Sequence, residues 1–311
     1  MLKTERMDRV RAALRAQGLT QMIVCDPKSV WYLTGVAVEP YERLLALYLP
    51  TEGEPVLFLN RLFNVPEPPC RTVWHTDTDK PVAQIAEVVD AGKPLGIDKE
   101  WPAKFLIPLM ETHPGMQVVL SSDCVDDCRA CKDAEEQTLM REASRINDAV
   151  NEAAKHYIKA GMTEREVAEF IDAQYRAHGC EGPSFTTIVS FGANAADPHH
   201  EPDDTVLKEG DCVLFDMGCV KSRYCSDMTR TWFCGQPTEK QAAVHDLVRR
   251  ANEAAEALIK PGVRLCELDA AARDLIIAHP EIFRDYEITK GGMDDVFLTV
   301  TGQTLTGGEA K

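Results

Sequence analysis

The apolar run Cys212-Val-Leu-Phe ends on an aspartate, and that residue limits what the second half of this chain can fold into. The run reads as a buried strand, and burying an unpaired carboxylate is costly, so Asp216 needs a partner. Asp227 lies eleven residues on, in Tyr224-Cys-Ser-Asp227-Met-Thr-Arg-Thr231. A turn near residues 220–222 would make the two aspartates antiparallel neighbours, about 5.5 Å apart at Cα. At that range two carboxylates repel unless a cation or a proton lies between them. Paired carboxylates suit a hard or borderline divalent metal. A blander reading makes Asp216 a turn residue before Met217-Gly218 and Asp227 the partner of Arg230. The residues alone leave both open.

A length of 311 residues allows two domains of ordinary size, and an apolar fraction of 44% can fill two cores. Net charge is −16, which argues against a nucleic-acid partner, since phosphate binding needs clustered Lys and Arg. No apolar run approaches the length of a membrane span. The first residues, Met1-Leu-Lys-Thr-Glu-Arg, lack the apolar stretch of a signal peptide. Eleven cysteines are an odd number, and Cys25 and Cys212 lie in strand-like runs. Free buried thiols in a cytoplasmic protein are the expectation. Cys124, Cys128 and Cys131 have spacings of four and three and read as thiols on a helix face; a zinc site there lacks an evident fourth ligand.

Periodicity predicts an amphipathic helix over 4–17, stopped by Gly18, then short strands at 22–25, 44–49 and 56–59. Helices at 81–90 and 101–112 flank a strand at 95–98, and another strand lies at 118–120. Together they predict an α/β domain over 1–127. Asp133 can cap a long helix from 134 to 159. Thr163-Glu-Arg-Glu166 has capping-box spacing and opens the next helix, ending near Gly179. Strands at 185–190, 212–216 and 224–233 follow, then helices at 239–259 and 265–277. Helices, antiparallel strands and helices again suggest an α+β domain over 133–277. Residues 278–311 are set apart as an atypical tail. Between helix and strand lies the polar loop Phe191-Gly-Ala-Asn194-Ala-Ala-Asp-Pro-His199-His200-Glu-Pro202. A histidine there can bind a substrate carbonyl or carboxylate, or shuttle a proton; a solvent-exposed loop is the bland alternative.

Gly182-Pro-Ser-Phe-Thr-Thr-Ile-Val-Ser190, Gly192-Ala-Asn194, Pro198-His199, Gly210-Asp211, Asp216-Met-Gly218 and the Tyr224–Thr231 stretch occur in order and close together. They resemble the metallopeptidase family of aminopeptidase P and Xaa-Pro dipeptidase, whose catalytic domain has the pita-bread fold. The first 125 residues resemble the creatinase-type N-terminal domain of that family. The resemblance spans about 3–277. It implies two divalent metal ions (Mn²⁺, Co²⁺ or Zn²⁺), with Asp216 on one and Asp227 bridging both. It makes His199 the contact to substrate near the scissile bond. The reaction it implies is hydrolysis of an X–Pro bond in a peptide with proline at the second position. It leaves room for a homodimer.

The family completes its site with a histidine in a Gly-His-Gly type motif and two glutamates. Here the corresponding stretch reads Lys290-Gly-Gly-Met293, without histidine, and His245 and His279 sit in no glycine-flanked turn. A partial ligand set predicts impaired activity. Two other readings follow: a non-catalytic peptide-binding protein on the same fold, and a creatinase-like hydrolase that works without metal. Met293-Asp-Asp-Val-Phe-Leu-Thr-Val-Thr-Gly302 is similar to the C-terminus of ABC-type drug-export ATPases, which suggests a foreign, truncating tail. The chain has no G-x-x-x-x-G-K-[ST] and so cannot bind ATP as such an ATPase does.

Overall fold

In the computed structural model, residues 2–282 are described; most of the tail set apart above, 283–311, lies outside them. The chain divides into two compact units between Gln137 and Thr138.

The first unit alternates helices and strands: α1 (Thr4–Ala16), β1 (Gln21–Val24), α2 (Pro27–Thr34), β2 (Ala46–Pro50), β3 (Val56–Asn60), β4 (Arg71–His75), α3 (Pro81–Ala86), β5 (Leu95–Ile97), α4 (Ala103–Thr112), β6 (Val118–Leu120) and α5 (Asp123–Ala130). The strands form one mixed sheet in the order β4-β3-β2-β1-β5-β6. Alternation along each strand sorts side chains to two faces. Met22, Val24, Leu47, Leu49, Leu57 and Leu59 meet Met7, Val10 and Leu14 of α1 and Cys124, Val125 and Cys128 of α5. Ile23, Ala46, Tyr48, Val56 and Phe58 meet Ile85 and Leu109 on the other face. Both faces are therefore covered, as an α/β layer requires.

All eleven cysteines are free. Cys124 and Cys128 point into the core while Cys131 is exposed, so they do not converge as zinc ligands. Burial pushes the Cys124 thiol up to about 11, as expected of an inert thiol in apolar surroundings.

α6 (Ala134–Tyr157), whose first turn belongs to the first unit and whose remainder belongs to the second, is opened by Asp133, whose carboxylate accepts the Glu136 N–H at 2.9 Å while Glu136 accepts the Asp133 N–H at 2.8 Å. α7 (Glu164–Ala177) carries the same reciprocal cap on Thr163 and Glu166. Then come β7 (Gly182–Pro183), β8 (Ile188–Phe191), a 3-10 turn (Gly192–Ala196), β9 (Cys212–Met217), β10 (Cys219–Lys221), β11 (Tyr224–Cys225), β12 (Met228–Phe233), α8 (Glu239–Glu256) and α9 (Leu265–Ile277). The strands make two small sheets, β11-β10-β7 and β12-β9-β8. Val189, Phe191, Val213, Phe215 and Met217 bury one face of the latter against Val150 of α6 and Val167, Ile171 and Tyr175 of α7. Helices layered on antiparallel strands give the expected α+β unit.

Two local expectations need correction. Residues 224–233 are not one strand: the ladder breaks at Ser226 and Asp227. The turn lies at Ser222 and Arg223, both with positive φ, rather than at 220–222. That pair of left-handed residues matches the two-residue hairpin turn whose twist suits flanking strands.

Candidate metal centre and the adjoining loop

β9 explains why an aspartate can follow an apolar run. Val213, Phe215 and Met217 are buried, while Cys212, Leu214 and Asp216 are only partly so. Asp216 thus lies on the face turned away from the helices, half-buried rather than enclosed. Its register partner is Thr229, not Asp227. The Thr229 hydroxyl donates to Asp216 Oδ1 at 3.0 Å. Asp227 is two residues before Thr229 but lies in the ladder break, outside β12, which begins at Met228. The break leaves Asp227 outside the β9–β12 register, and Asp227 is exposed. Arg230, the alternative partner for Asp227, instead donates from Nη1 to the Thr229 carbonyl at 2.8 Å.

The break is built by close backbone approach. Ser184 donates from N to the Gly218 carbonyl at 3.0 Å and from Oγ to the Ser226 carbonyl at 2.8 Å. A Cβ on residue 218 would collide with the Ser226 carbonyl and the Ser184 hydroxyl. On the helix side, Tyr175 donates to Asn147 Oδ1, and Asn147 Nδ2 donates to the Met217 carbonyl at 3.0 Å. These buried side chains fix the end of β9 that carries Asp216.

His199 is exposed on the loop after the 3-10 turn, and its N–H donates to Asp197 Oδ1 at 2.9 Å. It shares no ligand group with Asp216 or Asp227 among the described residues. The loop instead converges on Glu164, the first residue of α7, which has no exposed surface. Glu164 Oε1 accepts from Phe191 N at 2.7 Å and Asn194 Nδ2 at 3.0 Å. Oε2 accepts from His200 Nε2 at 2.7 Å and Asp203 N at 3.1 Å. The Thr205 hydroxyl and N–H hold the Asp203 carboxyl below the usual carboxylate range, against a small opposing effect of burial; Glu164 and His200 add to the lowering. Glu164, His200 and Asp203 are the one His/Cys/Asp/Glu group of metal-binding size among the described residues. Sequence patterns pass over this cluster. The capping box at Thr163 and Glu166 locates the start of α7, but nothing local says that the residue between them turns inward.

A divalent cation fits the Asp216–Asp227 side in part. Both residues offer carboxylate oxygens, the donor type such ions prefer. No third protein ligand joins them among the described residues.

Residues 138–303 match the family model for metallopeptidase family M24, and residues 6–131 match that for the creatinase/prolidase N-terminal domain. The chain belongs to metallopeptidase family M24. M24 is a family of divalent-metal peptidases. The family match runs to residue 303 and includes part of the segment set apart as a tail. An uncharacterized peptidase of Staphylococcus epidermidis is 31% identical over 271 residues, covering 86% of this chain and 77% of the relative. The fold is similar to the crystal structure of recombinant prolidase from Thermococcus sibiricus, with a TM-score of 0.82 and 29% identity over 91% of this chain and 79% of that one. Dipeptidase PepE from Mycobacterium ulcerans gives a TM-score of 0.81 and 30% identity, over 90% and 77% of the two chains. The M24 chain thus has the two-domain prolidase-like fold: a creatinase-type N-terminal domain followed by an M24 domain. Among the described residues no helix is long and apolar enough to cross a membrane.

Proposed function

We propose that this chain is a cytoplasmic metallopeptidase directed at X–Pro bonds, with Asp216 and Asp227 as metal ligands and His199 as the substrate contact. The observation that carries the reading is Asp216 on the face of the β8–β9–β12 sheet that the helical core does not fill, with Asp227 exposed at the ladder break before β12. A prolidase among the similar structures supports the choice of bond. Proline's tertiary amide has no N–H, so the pocket must accept the bond through its carbonyl. A bound divalent ion supplies charge to polarise that carbonyl and acidify a water. The Thr229 hydroxyl orients the Asp216 carboxylate, and Asp227 stands exposed at the ladder break two residues before Thr229. His199, on an exposed loop, is free to meet the peptide and carry a proton.

Among the described residues two carboxylates are a small donor set, and weak metal affinity and slow hydrolysis are what such a set predicts. The test combines Mn²⁺ or Co²⁺ titration by calorimetry with hydrolysis of an X–Pro dipeptide. Asp227→Ala should weaken metal binding at least about tenfold, the low end of what losing even an outer-sphere partner costs. It should also remove the metal-dependent turnover. Hydrolysis indifferent to chelator and to Asp227→Ala would refute the assignment. Peptide binding without turnover in saturating metal would favour a binding protein on the same fold.

A further inference from the structure

Glu164 is a fully buried carboxylate with no place in the proposed chemistry, yet it receives four donors from one stretch of chain. Those donors belong to Phe191, Asn194, His200 and Asp203, and they flank His199. A carboxylate has about four lone-pair positions, so the set saturates both oxygens. With the proton on Nε2, His200 donates to Oε2 at 2.7 Å, and Asn194 Nδ2 lies 3.1 Å from the same nitrogen. Hydrogen bonds to an ionised carboxylate are stronger than neutral ones. The backbone closes the same circuit from the other direction: Glu164 N donates to the Thr205 carbonyl and Arg165 N to the Asp203 carbonyl, both at 3.2 Å. Asn194 adds a bond to the Thr205 hydroxyl at 3.1 Å. A cation among Glu164, His200 and Asp203 would need the Oε2 and Nε2 positions that these bonds already occupy.

We propose that Glu164 is a positioning residue for His199: with His200 as its paired donor, it gathers residues 191–203 onto the first turn of α7 and so fixes where His199 stands. This rests on the reading of His199 as the substrate contact. Among the described residues His199 itself makes only the short-range backbone bond to Asp197, so its location is set by what holds its neighbours.

Hydrogen–deuterium exchange on the full chain tests the clamp without reference to activity. In Glu164→Gln the side chain keeps its shape but turns an NH₂ toward donors. Exchange across 191–205 should rise about ten- to hundredfold, the loss expected for hydrogen bonds to a charged group. Exchange in 212–217 of β9 should stay the same. His200→Ala should act in the same direction. His200→Gln, whose amide can still donate to Oε2, should recover most of the protection. His200 lies in a loop and, unlike Glu164, is not fully buried, so its two variants decide the matter even if Glu164→Gln does not fold. Unchanged exchange in 191–205, or an increase spread equally through β9, would overturn the clamp.

The substrate role is separated by following the His199 imidazole resonances while adding an X–Pro dipeptide. The native chain should respond, and His200→Ala should need at least about tenfold more dipeptide, matching the lower end of the same bond loss. No response in the native chain would count against His199 as the substrate contact. The exchange result would still decide the clamp.

Discussion

Gly218 shows how a single missing Cβ can shape a site. The strand leaves one sheet and enters another there, and the Ser226 carbonyl and Ser184 hydroxyl occupy the space a side chain would need. Gly218→Ala should therefore destabilise the fold by about 1–3 kcal/mol, as overpacking in a closed site does, seen as a lower denaturant midpoint with unchanged slope. A variant as stable as the native chain would mean the hairpin relaxes freely. Residues differ in how openly sequence displays them. Asp216 and Asp227 stand out because a carboxylate at the end of an apolar run is physically anomalous. Their exact pairing does not, because the break at Ser226 and Asp227 depends on Ser184, a residue far off in the chain. Glu164 is hidden altogether, since the first turn of a helix favours acidic residues for reasons of the helix dipole alone.

Among the elements, the long helices were legible because caps and periodicity agree. Asp133 and Thr163 open α6 and α7 as expected, and α9 has its predicted bounds. Short elements were less so. α2 has eight residues and escapes periodicity, although Asp26 caps it and Pro27 begins it. β4 is an edge strand with half-exposed residues and no clean alternation. α5 lies in the stretch read as a domain end, where its buried face is only two turns long. The junction of α6, α7 and β9 carries a further expectation. Tyr175→Phe leaves the buried Asn147 Oδ1 without its donor, at a cost of about 1–3 kcal/mol. Thermal unfolding should show that loss, and Asn147→Leu should not add its full effect on top, because both act through one network. Strict additivity of the two would disprove the shared network.

For the whole chain, acidity was plain from composition, but which acidic groups stabilise the fold was not. Asp133 is the clearest case. Burial pushes its carboxyl up, but the Glu136 N–H, the Arg6 guanidinium at 2.8 Å and the Glu135 N–H outweigh this and hold it below its ordinary value. A depressed folded value contributes stability above the unfolded value of about 3.9, and that contribution is lost as pH falls through the folded value. Asp133→Asn should therefore be less stable than the native chain at pH 7, and the gap in Tm should narrow on acidification below about pH 4. A gap independent of pH would assign the effect to the helix cap alone. The sheet that carries Asp216 has a consequence of another kind. Its inward positions, Val213, Phe215 and Met217, are committed to packing, while every second residue between them is not. A lineage can therefore rewrite Cys212, Leu214 and Thr231 without renegotiating the core, so new specificities are reachable by single changes along one surface while the scaffold stays as it is.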